Sequence, residues 1–184
     1  MTEIKTAARK AAFETRKAAF GRGLDEAANA ALISTVLAEP GAVVAAYMPI
    51  RTEISPLPAM TALHEVGRLI VVPVIRAAGQ PLVFSRWQPD ARMIAGPFGA
   101  EIPAEEELFD PDIVITPLLA FDRKGYRLGY GGGFYDRTFE ALRKTKSAIG
   151  IGFAYSAQEV DEVPIEPTDQ QLDRIVTENG VRLF

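Results

Sequence analysis

The stretch Arg127-Leu128-Gly129-Tyr130-Gly131-Gly132-Gly133-Phe134-Tyr135-Asp136 places four glycines and one acid in ten residues. Glycine permits positive φ and a close approach to a ligand, so several backbone N–H groups in such a run can point at one anion. Thr138, Ala141 and Leu142 then recur at helical spacing, and the N-terminal dipole of that helix adds to the attraction. The run therefore predicts an anion site at a helix start; a mobile glycine turn without a ligand is the alternative.

A buried strand is predicted upstream of this glycine run, at Asp112-Ile113-Val114-Ile115-Thr116, and Pro117 ends it. A strand, a glycine turn and a helix in this order mark the place where open α/β sheets bind ligands. The run matches neither common phosphate motif, because it lacks Gly-x-x-x-x-Gly-Lys-Ser/Thr and has Phe134 where a dinucleotide fingerprint needs glycine. Asp136 would repel a bound phosphate unless a cation lay between them, which predicts Mg²⁺.

Helical and strand patterns alternate along the chain. Helices are predicted at Thr2–Phe20, Asp25–Ala38, Leu57–Val66 and Phe134–Lys144, and strands at Ala42–Met48, Leu69–Ile75, Leu82–Arg86, Ile113–Thr116, Ser147–Gly152 and Leu172–Thr177. Such alternation favours an α/β fold whose sheet is largely parallel. The turn at Ala77–Gln80 indicates a hairpin, so the sheet is expected to be mixed.

Composition favours one globular domain over residues 1–184, with 48% hydrophobic and 24% charged residues. A net charge of −4 argues against a nucleic-acid partner. The longest aliphatic stretch, Leu69–Ile75, is too short to span a membrane. The absence of cysteine excludes disulfides and thiolate metal sites, and it fits a cytoplasmic location.

Three cations share one stripe of the first predicted helix. Lys5, Arg9 and Arg16 lie at relative angles of about 0°, 40° and 20°, and the stripe carries no acid. A solvated basic face is the usual explanation, because like-charge repulsion is only about 0.2–0.5 kcal/mol per pair. Phosphate binding is the alternative.

The run Leu119-Ala120-Phe121-Asp122-Arg123-Lys124-Gly125-Tyr126 followed by the ten residues quoted first resembles the signature of the 5-formyltetrahydrofolate cyclo-ligase family. Three shorter stretches resemble the family in the expected order: Lys5–Arg9, Tyr47–Ile54 and Gln171–Thr177. The resemblance implies a three-layer, Rossmann-like α/β fold with a mixed, largely parallel sheet and helices on both faces. It also implies a monomeric enzyme that uses ATP and Mg²⁺ to close 5-formyltetrahydrofolate to 5,10-methenyltetrahydrofolate, releasing ADP and phosphate.

The same resemblance assigns expected roles to individual residues. The ATP-binding set is Lys5, Arg9, Arg127, Leu128, Gly129, Tyr130, Gly131, Gly132, Gly133, Phe134 and Tyr135. The folate-binding set is Met48, Glu53, Tyr130, Gly131, Gly132, Gly133 and Phe134. Arg127 and Tyr135 are the catalytic candidates, Asp136 and Asp173 are the Mg²⁺ ligands, and Asp169 is a less secure third acid.

Several of these residues also have ordinary structural interpretations. A loop acid such as Glu53 is commonly solvated, Phe134 fits a core position, and Asp173 fits an exposed strand residue paired with Arg174. Ser55-Pro56 departs from the residues that many family members have there, which puts the positioning of folate in question. Two other functions are compatible with the sequence: a folate- or nucleotide-binding module without turnover, and a sugar-phosphate isomerase that binds phosphate without ATP.

Overall fold

A computed structural model describes residues 3–184 of the protein, so Thr2 of the first predicted helix lies outside the described residues. The helices are α1 (Glu3–Ala19), α2 (Asp25–Leu37), α3 (Leu57–Glu65) and α4 (Phe134–Arg143), with a short 3₁₀ turn at Ser156–Gln158. The strands are β1 (Val43–Ala45), β2 (Leu69–Val74), β3 (Val83–Arg86), β4 (Met93–Ala95), β5 (Glu101–Pro103), β6 (Ile113–Thr116), β7 (Ala120–Phe121), β8 (Arg127–Leu128), β9 (Ile149–Phe153), β10 (Arg174–Thr177) and β11 (Gly180–Leu183).

A seven-stranded sheet forms the centre of the fold in the order β11-β10-β9-β6-β1-β2-β3. The five inner strands run parallel, whereas β3 and β11 pair antiparallel at the two edges. Strands buried on both faces carry continuous apolar runs, as in Ile113–Thr116, where all four residues are buried. The mixed, largely parallel sheet predicted from the sequence is confirmed.

Helices cover both faces of the sheet. Val44 packs on one face with Leu32 of α2 and Leu63 of α3. The next residue, Ala45, points to the other face and packs in the cluster that contains Phe139 of α4. Successive strand side chains alternate between faces, so the two clusters define three layers, as expected.

The architecture brings two loops to the same edge of the sheet. β1 and β6 are parallel neighbours, and the loops that follow them leave from their carboxyl ends. The chain proceeds from β1 to β2 on one side and later from β6 to β9 on the other, so the strand order reverses between β1 and β6. A crevice at such a reversal is the usual ligand site of open α/β sheets.

The structure also corrects details of the prediction. The first strand ends at Ala45 rather than Met48, so residues 46–50 belong to the site loop. The glycine run does not follow β6 directly, because the β7–β8 hairpin intervenes. The β4–β5 hairpin and β11 were not predicted, since their short strands are half-exposed and lack a long apolar alternation. Within residues 3–184, no helix is sufficiently long and apolar to cross a bilayer.

Candidate functional site

The glycine run adopts backbone conformations that only glycine tolerates well. Gly131 has φ 103° and Gly133, immediately before α4, has φ 66°. Among the described residues no side chain caps α4. The N–H groups of its first turn therefore remain available to an anion at the helix N-terminus.

Gly132 differs from its two neighbours because its φ is ordinary. A Cβ atom at Gly132 would lie 2.7 Å from the Phe134 ring. Phe134 in turn packs edge-on against Phe98, with ring centroids 6.1 Å apart. The Phe134 ring therefore fills the space beside Gly132, so a larger residue at this position would clash whether or not a ligand is bound.

Arg9 of α1 lies directly against the glycine run. Its Nε donates a 2.8 Å hydrogen bond to the carbonyl oxygen of Gly129. A Cβ atom at Gly131 would lie 3.2 Å from the Arg9 guanidinium carbon. The structure therefore brings Arg9 to the proposed phosphate turn.

Lys5, one turn earlier, is buried and paired with two acids. Its Nζ lies 2.8 Å from Asp169 Oδ2 and 3.1 Å from Glu166 Oε2. Burial lowers the pKa of the Lys5 amine, but the hydrogen bonds to Asp169 and Glu166 outweigh it and raise the pKa above 10.5. Lys5 thus ties α1 to the segment that precedes β10.

Arg127 and Asp136 form a second ion pair beside this segment. Arg127 Nη2 lies 2.8 Å from Asp136 Oδ1, and Arg127 Nη1 donates a 2.7 Å bond to the Gln170 carbonyl. Asp136 Oδ1 also accepts a 2.9 Å bond from the backbone N–H of Gln170. These contacts fix Arg127 and Asp136 against the backbone of Gln170.

Asp173, expected to hold Mg²⁺ together with Asp136, makes hydrogen bonds of its own, and the expected pair stays a prediction. Asp173 Oδ2 accepts bonds from the Gly150 N–H (2.7 Å) and from Arg143 (3.0 Å), not from Arg174. The Arg143 guanidinium also donates to the Gln171 carbonyl at 3.1 Å. Gln171 follows Gln170, whose N–H binds Asp136, so the same short segment contacts the partners of both acids.

Asp169, the less secure third acid of the prediction, accepts bonds through its Oδ2 from Lys5 Nζ (2.8 Å) and from the Glu166 N–H (2.8 Å). Within residues 3–184 no group of three or more His, Cys, Asp or Glu side chains could hold a metal. An ion beside Asp136 would therefore need ligands from a bound molecule or from water as well as from the protein.

Glu53 is buried rather than solvated. Its exposed fraction is 4%, its Oε1 accepts a 2.8 Å bond from the Tyr130 hydroxyl, and its Oε2 accepts a 2.9 Å bond from the Ile50 N–H. Burial raises the pKa of Glu53 above 4.5, although the bonds from Ile50 and Tyr130 oppose the rise. A buried acid with polar neighbours at the carboxyl edge of a sheet is suited to accept N–H donors from a ligand.

The buried Arg16 side chain lies beside Glu53 and partly opposes the rise of its pKa. It is 1% exposed, its Nε donates to Thr52 Oγ1 at 3.1 Å, and its Nη1 lies 4.0 Å from Glu53 Oε1. Its guanidinium lies 5.4 Å from the Phe13 ring centroid and 5.5 Å from that of Tyr130. The predicted stripe is therefore not a solvated face, because it places Lys5 at the 166–169 segment, Arg9 at the glycine run and Arg16 at Glu53.

The remaining candidates surround Glu53. Burial, followed by the charge of Glu53, raises the pKa of Tyr130 to about 12. The same two causes raise the pKa of Tyr135, while Arg127 opposes them. Met48 is half-buried against the core below the loop. Both tyrosines therefore stay protonated at neutral pH and act as hydrogen-bond donors.

Sequence reasoning left Arg16 without a role and did not single out Phe13 or Arg51. Phe13 and Arg16 are three residues apart on α1, which places them on one face. That spacing is common on helices, and only the folded chain shows that Tyr130 completes the cluster.

Comparison with known proteins agrees with the geometry. The profile of the 5-formyltetrahydrofolate cyclo-ligase family matches residues 2–178. A 5-formyltetrahydrofolate cyclo-ligase of Mycolicibacterium smegmatis is 34% identical over 146 residues, which cover 74% of each chain. The corresponding protein of Haemophilus influenzae is 38% identical over 135 residues, which cover 70% of this chain and 72% of that protein.

Two solved structures of 5,10-methenyltetrahydrofolate synthetases are also similar to this chain. The 5,10-methenyltetrahydrofolate synthetase of Aquifex aeolicus superposes with a TM-score of 0.75 at 30% identity, covering 98% of this chain and 92% of that one. The synthetase of Mycoplasma pneumoniae gives 0.72 at 28% identity, covering 95% and 98%. With a profile match over nearly its whole length, this chain belongs to the 5-formyltetrahydrofolate cyclo-ligase family, a family of ligase enzymes.

Proposed function

We propose that the chain closes 5-formyltetrahydrofolate to 5,10-methenyltetrahydrofolate and consumes ATP with Mg²⁺ in doing so. One observation carries the proposal: Tyr130 belongs to the glycine run and also hydrogen-bonds the buried Glu53. A turn suited to phosphate and a carboxylate suited to a pterin are therefore neighbours. Two substrates bound at these places would meet at their reactive ends, which is the main requirement of phosphoryl transfer.

The phosphate side has the donors that ATP needs. No side chain of the described residues caps the first turn of α4, and Arg9 lies against the glycine run. Arg127 is fixed by Asp136 and by the Gln170 carbonyl, so its guanidinium is oriented before a ligand arrives. Positive charge held in place in this way stabilises phosphate charge without reorganisation.

The acids supply unused oxygens for Mg²⁺. Asp136 Oδ2, Asp173 Oδ1 and Asp169 Oδ1 accept no hydrogen bond from the described residues, while the other oxygen of each acid is occupied. Mg²⁺ in nucleotide sites is commonly held by one or two carboxylates together with phosphates and water. When bound, the ion would neutralise phosphate charge; Asp136 and Asp173 would position it, with Asp169 as the third candidate.

On the folate side, Glu53 would accept N–H bonds from the pterin, and Met48 would cover its ring. The formyl oxygen would attack the terminal phosphorus of ATP, and ADP would leave. N10 would then attack the activated formyl carbon. Loss of the N10 proton and departure of phosphate would leave the methenyl bridge. Arg127 and the protonated Tyr135 would stabilise the charge that develops on the transferred group.

The direct test is to incubate purified protein with 5-formyltetrahydrofolate, with and without Mg-ATP, and to record the methenyl chromophore. We expect the chromophore only when both ATP and Mg²⁺ are present, with one ADP formed per turnover. Folate binding without the chromophore would instead identify a binding module. Phosphate-ester binding without ATP or folate binding would favour the isomerase.

One domain, a monomeric state and a cytoplasmic location stay predictions. The continuous seven-stranded sheet supports a single domain. Gel filtration with light scattering would test the monomer, and limited proteolysis would test the single domain.

A further inference from the structure

A groove of about 380 Å³ opens beside the proposed folate site, between α1 and the loop that follows β1. It is lined by Phe13, Glu14, Lys17, Arg51 and Thr52. None of these residues has a role in the function proposed above. The groove is open to solvent along its length, so a ligand could enter it without rearrangement of the core.

The groove is continuous with the position proposed for the pterin. Thr52 precedes Glu53 and accepts the 3.1 Å bond from Arg16. The Phe13 ring lies 5.5 Å from the Tyr130 ring, centroid to centroid. Phe13 therefore lies beside the position proposed for the pterin, and a molecule bound at Glu53 can extend across Phe13 into the groove.

Arg51 is held in an unusual conformation at the mouth of this groove. Its φ is 53°, and among residues 3–184 it is the single non-glycine residue with positive φ. The turn is closed by the Glu53 N–H bond to the Ile50 carbonyl (3.1 Å) and by the Ile50 N–H bond to Glu53 Oε2 (2.9 Å). Strain of this kind persists where the surroundings enforce it and is common at binding sites. Here the turn that fixes Glu53 also directs Arg51 toward Phe13, whose ring centroid is 5.9 Å from the guanidinium carbon.

The charges of the groove favour an anion. Arg51 and Lys17 are exposed, and neither forms an ion pair or side-chain hydrogen bond with the described residues. Glu14 is the one acid in the lining, and the buried Glu53 lies behind the turn. The charge of Arg51 also acts on the buried Glu53. The exposed surface of the groove nevertheless carries two cations against one acid, on a chain whose net charge is −4.

We propose that this groove binds the p-aminobenzoylglutamate end of the substrate, with the aryl ring against Phe13 and the glutamate carboxylates on Arg51 and Lys17. The inference rests on the proposed function, because it assumes a folate whose pterin is at Glu53. A reduced folate has N–H donors at one end and two carboxylates at the other. The site has a carboxylate at one end and two cations at the other, so it matches this polarity.

The test compares two substrates in three variants. The substrates are 5-formyltetrahydrofolate and 5-formyltetrahydropteroate, which lacks the glutamate. Arg51→Gln and Lys17→Gln remove one groove cation each, and Arg182→Gln makes the same charge change on the exposed edge strand β11. We expect each groove variant to raise KM for the glutamyl substrate about fivefold, the size of a partly exposed ion pair, with little change in kcat. KM for the pteroate compound should not change in any variant, and Arg182→Gln should leave both values unchanged.

Equal KM values in wild type and groove variants, or an equal rise for both substrates, would overturn the inference. Loss of the effect at high salt is expected, because the contacts are exposed. If the wild type forms no methenyl product, the proposed function fails. Equilibrium titration of both compounds against the same variants would still test whether Arg51 and Lys17 recognise the carboxylates.

Discussion

The Tyr130 hydroxyl donates a 2.8 Å hydrogen bond to Glu53 Oε1. The bond connects an exposed position of the glycine run with an acid that is 4% exposed. A carboxylate oxygen can accept two hydrogen bonds, so under the proposed function a pterin N–H group would bind Glu53 beside this hydroxyl. Tyr130 therefore connects the glycine run with the acid proposed to accept the pterin.

Tyr130→Phe should lower the free energy of unfolding by about 1–2 kcal/mol, because a hydrogen bond to a charged acceptor is lost and Glu53 stays buried. Urea denaturation measures the change. Tyr126→Phe is the matched control, since the Tyr126 hydroxyl makes no hydrogen bond to the described residues. Equal midpoints for the two variants would show that the Tyr130–Glu53 bond does not stabilise the fold.

Glu53 should make stability fall as pH rises above 4.5. Burial raises its pKa in the folded state, so between 4.5 and the raised pKa the folded protein holds a proton that the unfolded chain has lost. The free energy of unfolding therefore decreases with pH across that range. Glu53→Gln should remove this decrease, whereas Glu105→Gln, at an exposed acid, should preserve it. Parallel pH profiles for Glu53→Gln and wild type would contradict the assignment.

Gly129→Ala tests ligand contact in the glycine run without disturbing the fold. A Cβ atom there meets no described heavy atom within 4 Å, and the φ of Gly129 lies outside the left-handed region. We expect thermal stability to be unchanged or raised by about 0.4–1 kcal/mol, and KM for ATP to rise about tenfold. Gly132→Ala should reduce both stability and activity, because its methyl group meets Phe134 at 2.7 Å. An unchanged KM in Gly129→Ala would remove this residue from the ATP contacts.

Asparagine substitutions distinguish the three acids. Asp136→Asn and Asp173→Asn should each raise the Mg²⁺ concentration for half-maximal activity by about tenfold or more, because a neutral amide is a poor ligand. Asp173→Asn should also lower the melting temperature, since it weakens the contacts to Gly150 and Arg143. Asp169→Asn should lower the melting temperature through the weakened contact with Lys5. A larger rise in the Mg²⁺ requirement for Asp169→Asn than for Asp173→Asn would make Asp169 the ligand in place of Asp173.

Lys5→Ala and Arg9→Ala should weaken ATP binding more than folate binding, because their expected partners are phosphates. Equilibrium titrations with each ligand measure the difference. Lys5→Ala should also destabilise the fold, because Asp169 and Glu166 lose their shared cation. Lys10→Ala, on an exposed part of α1, is the control. A fall in melting temperature without a change in ATP affinity would show that Lys5 and Arg9 stabilise the fold and do not bind ATP.

The parts of the site that the sequence predicted are those set by local chemistry. The glycine run and α4 follow from glycine conformation and helical spacing over about ten residues, which neighbouring side chains hardly modify. Helical and strand patterns that alternate along the chain are also local signals, and they predicted the largely parallel sheet for the same reason. Tyr130 and Arg9 were placed at the run because they belong to motifs that the family resemblance covers.

Contacts between segments that are far apart in the sequence could not be predicted in this way. Asp169 and Asp173 lie four residues apart in one polar segment, and nothing local shows that Asp169 meets Lys5 while Asp173 meets Arg143. Arg16 has the same spacing pattern as a solvated cation, yet its partners Thr52 and Leu118 come from other elements. The short β4–β5 hairpin carries too few residues for a periodic signal.

The Lys5–Asp169 contact joins residues separated by 164 positions. A ribosome makes α1 before the acid segment, so the nascent chain carries Lys5 without this partner while the intervening residues are added. Pairings over such separations form late in folding, because the intervening loop must close first. A chain released before residue 169 would contain the glycine run but neither Asp169 nor Asp173. The proposed catalytic capacity would therefore arise only after these acids have been added.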